Sequence, residues 1–163
     1  MHNGNHSWLK DLAVTYEFKN KKVLDIGSLN VNGTCRDYFT DCDYTGVDQK
    51  AGRGVDIVAV ATDTKFEPET FDIVISFNCY EHDFDWKNNV NHNLQWLKKG
   101  GYFIAEFGST GNAPHYFPVW LAVPHDEFVE NLKEQGMEVL ENFWEKEKYS
   151  STQNGIYCVV ARK

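Results

Sequence analysis

The sequence predicts an α/β fold: a three-layer αβα sandwich around a mostly parallel seven-stranded sheet that ends in an antiparallel hairpin. Three observations predict it. The run Lys21-Lys22-Val23-Leu24-Asp25-Ile26-Gly27 reads as a short buried strand stopping at a glycine, and Tyr44-Thr45-Gly46-Val47-Asp48 reads as a second strand ending on an acid. Phe71-Asp72-Ile73-Val74-Ile75-Ser76-Phe77 is almost continuously apolar and β-branched, as parallel strands covered on both faces are. Finally, only about ten polar residues part the last two apolar runs, too few for a helical crossover, so those two strands must pair antiparallel.

The elements follow in order. Ser7 to Phe18 carries Trp8, Leu12, Ala13 and Tyr16 at helical spacing, with Ser7 as N-cap. Val23 to Ile26 is the first strand, and Gly27 to Gly33 a tight loop into a short helix over Thr34 to Phe39. Tyr44 to Val47 is the second strand and Val55 to Val60 the third. Pro68 makes Phe66 to Thr70 a turn before the fourth strand. Phe84 to Lys99 reads as a helix with Trp86, Val90, Leu94 and Leu97 on one face, closed by Lys98, Lys99 and Gly100. Gly101 to Phe107 is the fifth strand, and Gly108 to Val123 a long irregular segment. Pro124 to Gln135 is the last helix, stopped by Gly136, and Met137 to Trp144 and Gly155 to Ala161 form the hairpin.

A chain of 163 residues suits one domain spanning 1–163, with no room for a second substrate domain. A net charge of -8 argues against a nucleic-acid partner and against an anionic membrane surface. The N-terminal stretch carries Lys10, Asp11, Glu17 and Lys19 and does not read as a secretory signal, and no apolar run is long enough to span a membrane. Four cysteines without a Cys-x-x-Cys pair fit reduced thiols and a cytoplasmic setting. Strand, glycine turn, helix, strand and acid hold a nucleoside at the carboxyl edge of a parallel sheet. Asp48 is placed there to accept from both ribose hydroxyls, and Gly27 and Ser28 to offer backbone at the turn.

Val23 to Gly27, Gly46-Val47-Asp48, the fourth strand followed by Tyr80-Glu81-His82, and Leu97 to Phe103 stand in an order that resembles class I S-adenosylmethionine-dependent methyltransferases of the small, methyltransferase-domain type. The resemblance spans Lys21 to Arg162 and implies a Rossmann-like sheet, S-adenosylmethionine as cofactor and methyl transfer to an unidentified small-molecule acceptor. It also implies that Asp25 lies near the methionine end, that Asn30 and Gly33 complete the cradle, and that Phe77 and Asn78 face the sulfonium. Asp63, bordered by Thr62, would meet the adenine amino group, and Gln49 would touch the adenosine. His82 is a candidate general base, and His115 and Tyr116 are candidates for a role toward the substrate, His115 among the catalytic candidates; no metal-ligand spacing is visible. His92 is expected to be exposed.

One departure stands out. The family's second and third loop glycines are replaced by Leu29 and Val31. A pyrophosphate lying on the backbone would meet Leu29, whereas S-adenosylmethionine has none. Two alternatives stay open: a non-catalytic S-adenosylmethionine-binding module and an NAD-binding oxidoreductase. A short cover over the site also leaves room for a homodimer.

Overall fold

The computed structural model describes residues 3–31, 33–108, 123–145 and 155–163. The strands are β1 (Lys22–Ile26), β2 (Asp43–Asp48), β3 (Ile57–Val58), β4 (Phe71–Phe77), β5 (Leu97–Gly108), β6 (Glu138–Glu145) and β7 (Ile156–Arg162). The helices are α1 (Asn3–Thr15), α2 (Trp86–Gln95) and α3 (His125–Glu134). One seven-stranded sheet runs β3-β2-β1-β4-β5-β7-β6. The pairs β1–β2, β1–β4, β2–β3 and β4–β5 are parallel, whereas β7 is antiparallel to both β5 and β6. The carboxyl ends of β1, β2, β4 and β5 therefore open on one edge, and the order reverses at β1, where ligands bind in open α/β sheets.

Alternation along the strands assigns side chains to two cores. Leu24, Val74, Phe103, Ala105 and Phe107 point to one face, packed under Trp86, Val90 and Leu94 of α2 and Phe128 and Leu132 of α3. Phe128 stacks on Trp86 at 5.3 Å and meets Phe107 at 4.7 Å, which locks both helices onto that face. Val23, Ile73, Ile75, Phe77, Ile104 and Cys158 point to the other face, under Trp8, Leu9 and Leu12 of α1. Asp25 pairs with Ile75, which pairs with Ile104, so Asp25 shares the α1 face.

The fold class and the antiparallel hairpin agree with the sequence reading; several element bounds do not. Helix α1 starts at Asn3, before the expected cap Ser7, and stops at Thr15. The expected helix over Thr34 to Phe39 is a 3-10 turn, Cys35–Tyr38, capped by the Thr34 hydroxyl. The third strand shrinks to Ile57–Val58. The helix expected to reach Lys99 ends at Gln95, and Leu97 to Gly100 already belong to β5. Gly100, read as a helix cap, has φ +78° beside the register irregularity between β4 and β5. The orphan carbonyls of Leu94 and Leu97 are instead met at 2.8 Å by the Lys163 ammonium. His92, expected to be exposed, is half-buried with its ring edge-on to Trp96 at 4.7 Å. Most of the irregular segment after Gly108, with His115 and Tyr116, lies outside the described residues. All four cysteines are free.

Candidate functional site

The glycine turn is built by the chain's own hydrogen bonds. Gly27, at φ +82°, and Ser28 both donate their N–H groups to the Val47 carbonyl, at 2.9 and 3.1 Å. These two N–H groups are therefore engaged by β2, which leaves the turn's carbonyls as the backbone it can offer. The absent side chain matters more, because a Cβ on Gly27 would stand 2.8 Å from both Cβ and Sγ of Cys79. The loops after β1 and β4 meet there only because residue 27 is glycine.

Asp48 closes β2 and ties down the first loop. Its Oδ2 accepts from the Leu29 N–H at 3.1 Å and its Oδ1 from the Lys50 N–H at 2.9 Å. Asn30 folds the same loop into an Asx turn: its Oδ1 accepts from the Gly33 N–H at 2.9 Å, and its own N–H donates to the Arg53 carbonyl at 2.8 Å. Leu29, at one of the missing glycine positions, lies where a Cβ on Gly52 would touch it at 2.4 Å, so it pins the loop after β2 against the loop after β1.

A small cavity of about 30 Å³ sits inside this arrangement, lined by Asp25, Gly27, Ser28, Gly33, Cys35 and Phe77, with Leu29 and Thr34 between them. Asp48 is one hydrogen bond from it, through Leu29. The Ser28 hydroxyl is buried, and among the described residues no hydrogen-bond partner is found for it. Asp25 is buried and accepts a 2.7 Å hydrogen bond from the Tyr44 hydroxyl. Burial pushes its carboxyl up to about 7, against the opposing pull of the Tyr44 hydrogen bond and the Arg36 charge.

At the end of β4, Phe77 reaches the cavity and Asn78 takes a left-handed backbone, φ +53°. Asn78 is clamped to Glu106 of β5, its N–H on the Glu106 carbonyl at 2.9 Å and its Nδ2 on Glu106 Oε2 at 2.7 Å. Strain of this kind collects at ligand sites. Glu81 is buried, accepts from the Gly108 N–H at 3.3 Å and is held above the usual carboxylate range by burial. His82 is exposed. Gln49, Thr62 and Asp63 are exposed at the same sheet edge, on the ends of β2 and β3, and none of them lines the cavity.

The structure brings Asp25, Gly27, Ser28, Gly33 and Phe77 to one cavity with Cys35, and the sequence reading singled out neither Cys35 nor Tyr44 and Glu106, which hydrogen-bond to Asp25 and Asn78. The missed signal for Glu106 was legible: a single acid inside Tyr102-Phe103-Ile104-Ala105-Glu106-Phe107, a run whose neighbours all ask for burial.

A family model described as methyltransferase domain matches residues 24–105. The chain belongs to the methyltransferase domain family. No curated protein matches the sequence. Among solved structures, the Burkholderia thailandensis 1,6-didemethyltoxoflavin N1-methyltransferase, with its acceptor and S-adenosylhomocysteine bound, is 14% identical with TM-score 0.78, covering 99% of this chain and 78% of that one. An S-adenosylmethionine-dependent methyltransferase from Mesorhizobium loti is 13% identical with TM-score 0.74, covering 98% of each chain. The [4+2]-cyclase SpnF is also 13% identical, with TM-score 0.74 over 96% of this chain and 80% of that one. At these identities the likeness is one of fold. The cofactor that family and neighbours support is S-adenosylmethionine. Among the described residues of this methyltransferase-domain protein, no helix is long and apolar enough to cross a membrane.

Proposed function

We propose that the protein transfers a methyl group from S-adenosylmethionine to a small-molecule acceptor. The observation that carries this reading is Asp48, a carboxylate at the tip of β2, joined through the Leu29 N–H to the cavity at the tip of β1. The residues fit the cofactor. Asp48 would hold the ribose hydroxyls, and Asp25, pre-set close to neutral pH, would accept from the ammonium of the methionine end. Gly27 keeps the floor free of side chain, and the buried Ser28 hydroxyl gains a partner. Phe77 and Asn78 would border the sulfonium; Gln49, Thr62 and Asp63 would border the adenosine. Leu29 opposes a pyrophosphate, which disfavours NAD.

When bound, the sulfonium supplies an activated methyl carbon. The chain's residues have only to bind, align and exclude water. Calorimetry with S-adenosylhomocysteine and NAD side by side tests the reading: binding of the first alone supports it, and binding of NAD alone overturns it.

A second reading keeps the cofactor without methyl transfer. Leu29 and Val31 at glycine positions favour it, and SpnF, named as a cyclase, has the same fold. Transfer of radiolabelled methyl to any acceptor would exclude it.

A further inference from the structure

Beside the cofactor cavity, on the α1 face of the sheet, four side chains form one cross-strand row. Phe77 of β4 pairs with Glu106 of β5, Glu106 with Cys158 of β7, and Cys158 with Phe143 of β6. Residues paired across strands share a face, and neighbouring strands lie about 4.8 Å apart. Trp8 of α1 roofs the row: its indole stacks on Phe77 at 5.5 Å and 20° and stands edge-on to Phe143 at 5.8 Å and 87°. Both outer rings touch the same indole, so Trp8 spans the two residues between them. Glu106 is thus a buried acid with the Phe77 ring on one side and the Cys158 thiol on the other, in a row whose two end rings both meet Trp8.

Two observations point to a ligand. The Trp8 side chain is 2% exposed, yet its Nε1–H has no hydrogen-bond acceptor among the described residues. A buried donor without an acceptor is a site a bound polar molecule would complete. The field is also negative: burial pushes the Cys158 thiol up, and the charges of Glu106, Glu145 and Glu141 push it further. The Cys35 thiol, which lines the cofactor cavity, is raised by burial, Asp25 and Glu106. Aromatic rings around a carboxylate are the chemistry that recognises an ammonium.

We propose that Trp8, Phe77, Phe143 and Glu106 form the acceptor site, and that the acceptor is an amine carrying an oxygen within reach of the Trp8 N–H. This deepens the proposed methyl transfer and rests on it. Phe77 is shared by the box and the cofactor cavity, which places the amine one strand from the sulfonium. The ammonium gives one proton to the Glu106 carboxylate. The freed nitrogen lone pair then forms the N–CH3 bond, and the electron pair of the breaking S–CH3 bond returns to sulfur, leaving a thioether and a methylammonium. Asn78, clamped to Glu106 Oε2, is a positioning residue that fixes the carboxylate. Entry requires the Trp8 ring to move, because the box is closed by its own roof.

The test uses matched probes, 2-phenoxyethylamine and 2-phenoxyethanol, titrated into the protein saturated with S-adenosylhomocysteine. The amine is expected to bind roughly tenfold or more tighter than the alcohol and to change indole fluorescence in the parent but not in Trp8→Phe. Glu106→Gln should erase the preference in protein that still binds S-adenosylhomocysteine. Should Glu106→Gln fail to fold, Phe143→Leu, on the edge strand, should weaken amine binding alone. Equal affinity for the two probes, no binding of either, or a preference that survives both variants would overturn the amine site. Failure of S-adenosylhomocysteine itself to bind would overturn the cofactor reading, so the two failures are distinguishable.

Discussion

The Tyr44 hydroxyl donates to Asp25 Oδ2 at 2.7 Å, and the Arg36 guanidinium lies over the Tyr44 ring at 4.5 Å. The phenol links a half-exposed cation on one side of β2 to a buried acid at the floor of the cavity. It is what keeps a fully buried carboxyl from titrating still higher.

That relationship sets a pH dependence. Asp25 rises from 3.8 to about 7 on folding, mainly through burial. Between these values the folded state holds a proton that the unfolded state has lost. Its contribution is therefore present below the unfolded value and lost as pH rises through the folded one, at up to ~1.4 kcal/mol per pH unit. The difference in stability between parent and Asp25→Asn, followed by urea unfolding from pH 4 to pH 8, should move in the variant's favour as pH rises. Tyr44→Phe should shift the transition upward. A flat difference would show that Asp25 does not titrate in this window.

Cofactor affinity should run the opposite way. The ionised carboxylate is the form that accepts from an ammonium, so S-adenosylhomocysteine should bind more tightly as pH rises through 7. Calorimetry at pH 6 and pH 8 should show this in the parent and not in Asp25→Asn.

Gly27→Ala carries two penalties, a left-handed backbone and a contact with Cys79 at 2.8 Å. It should destabilise by more than about 1 kcal/mol. Adding Cys79→Ala should relieve part of the clash by removing Sγ, and Cys79→Gly more of it by removing Cβ as well, while the left-handed backbone penalty stays in both. Thermal denaturation of the single and double variants checks the order.

Phe128 is fully buried and joins α2 to α3 through Trp86 and Phe107. Phe128→Ala should cost about 3–5 kcal/mol with S-adenosylhomocysteine affinity unchanged, since this core lies across the sheet from the cavity. A parallel loss of affinity would show that the two faces are coupled.

The sheet was legible because its strands are apolar, short and bounded by turn residues. Phe71–Phe77 could be nothing else. The end of α2 was not legible, because Lys98-Lys99-Gly100 carries every local mark of a helix stop. What overrides it is distant in sequence: the Gly100 N–H donates to the Lys163 carbonyl at 2.6 Å, and Lys163 supplies the cap. The sequence pointed to the residues of the glycine turn where chemistry and spacing coincide, as at Asp25 and Gly27, which line the cavity, and at Asp48, which bonds to the Leu29 N–H of the same loop. The site was obscured where a hydrogen bond is local and silent in the sequence, as in the capture of the Gly27 and Ser28 amides by Val47. Glu106 needed only the recognition that an acid inside a buried strand has a reason to be there.

Thermal denaturation with S-adenosylhomocysteine at about 100 times its dissociation constant, on the parent and on Asp48→Ala, tests the central claim most directly. The account predicts ~2.7 kcal/mol of stabilisation in the parent and an affinity roughly 10- to 150-fold weaker in Asp48→Ala. No stabilisation of the parent, or equal stabilisation of both proteins, would contradict it.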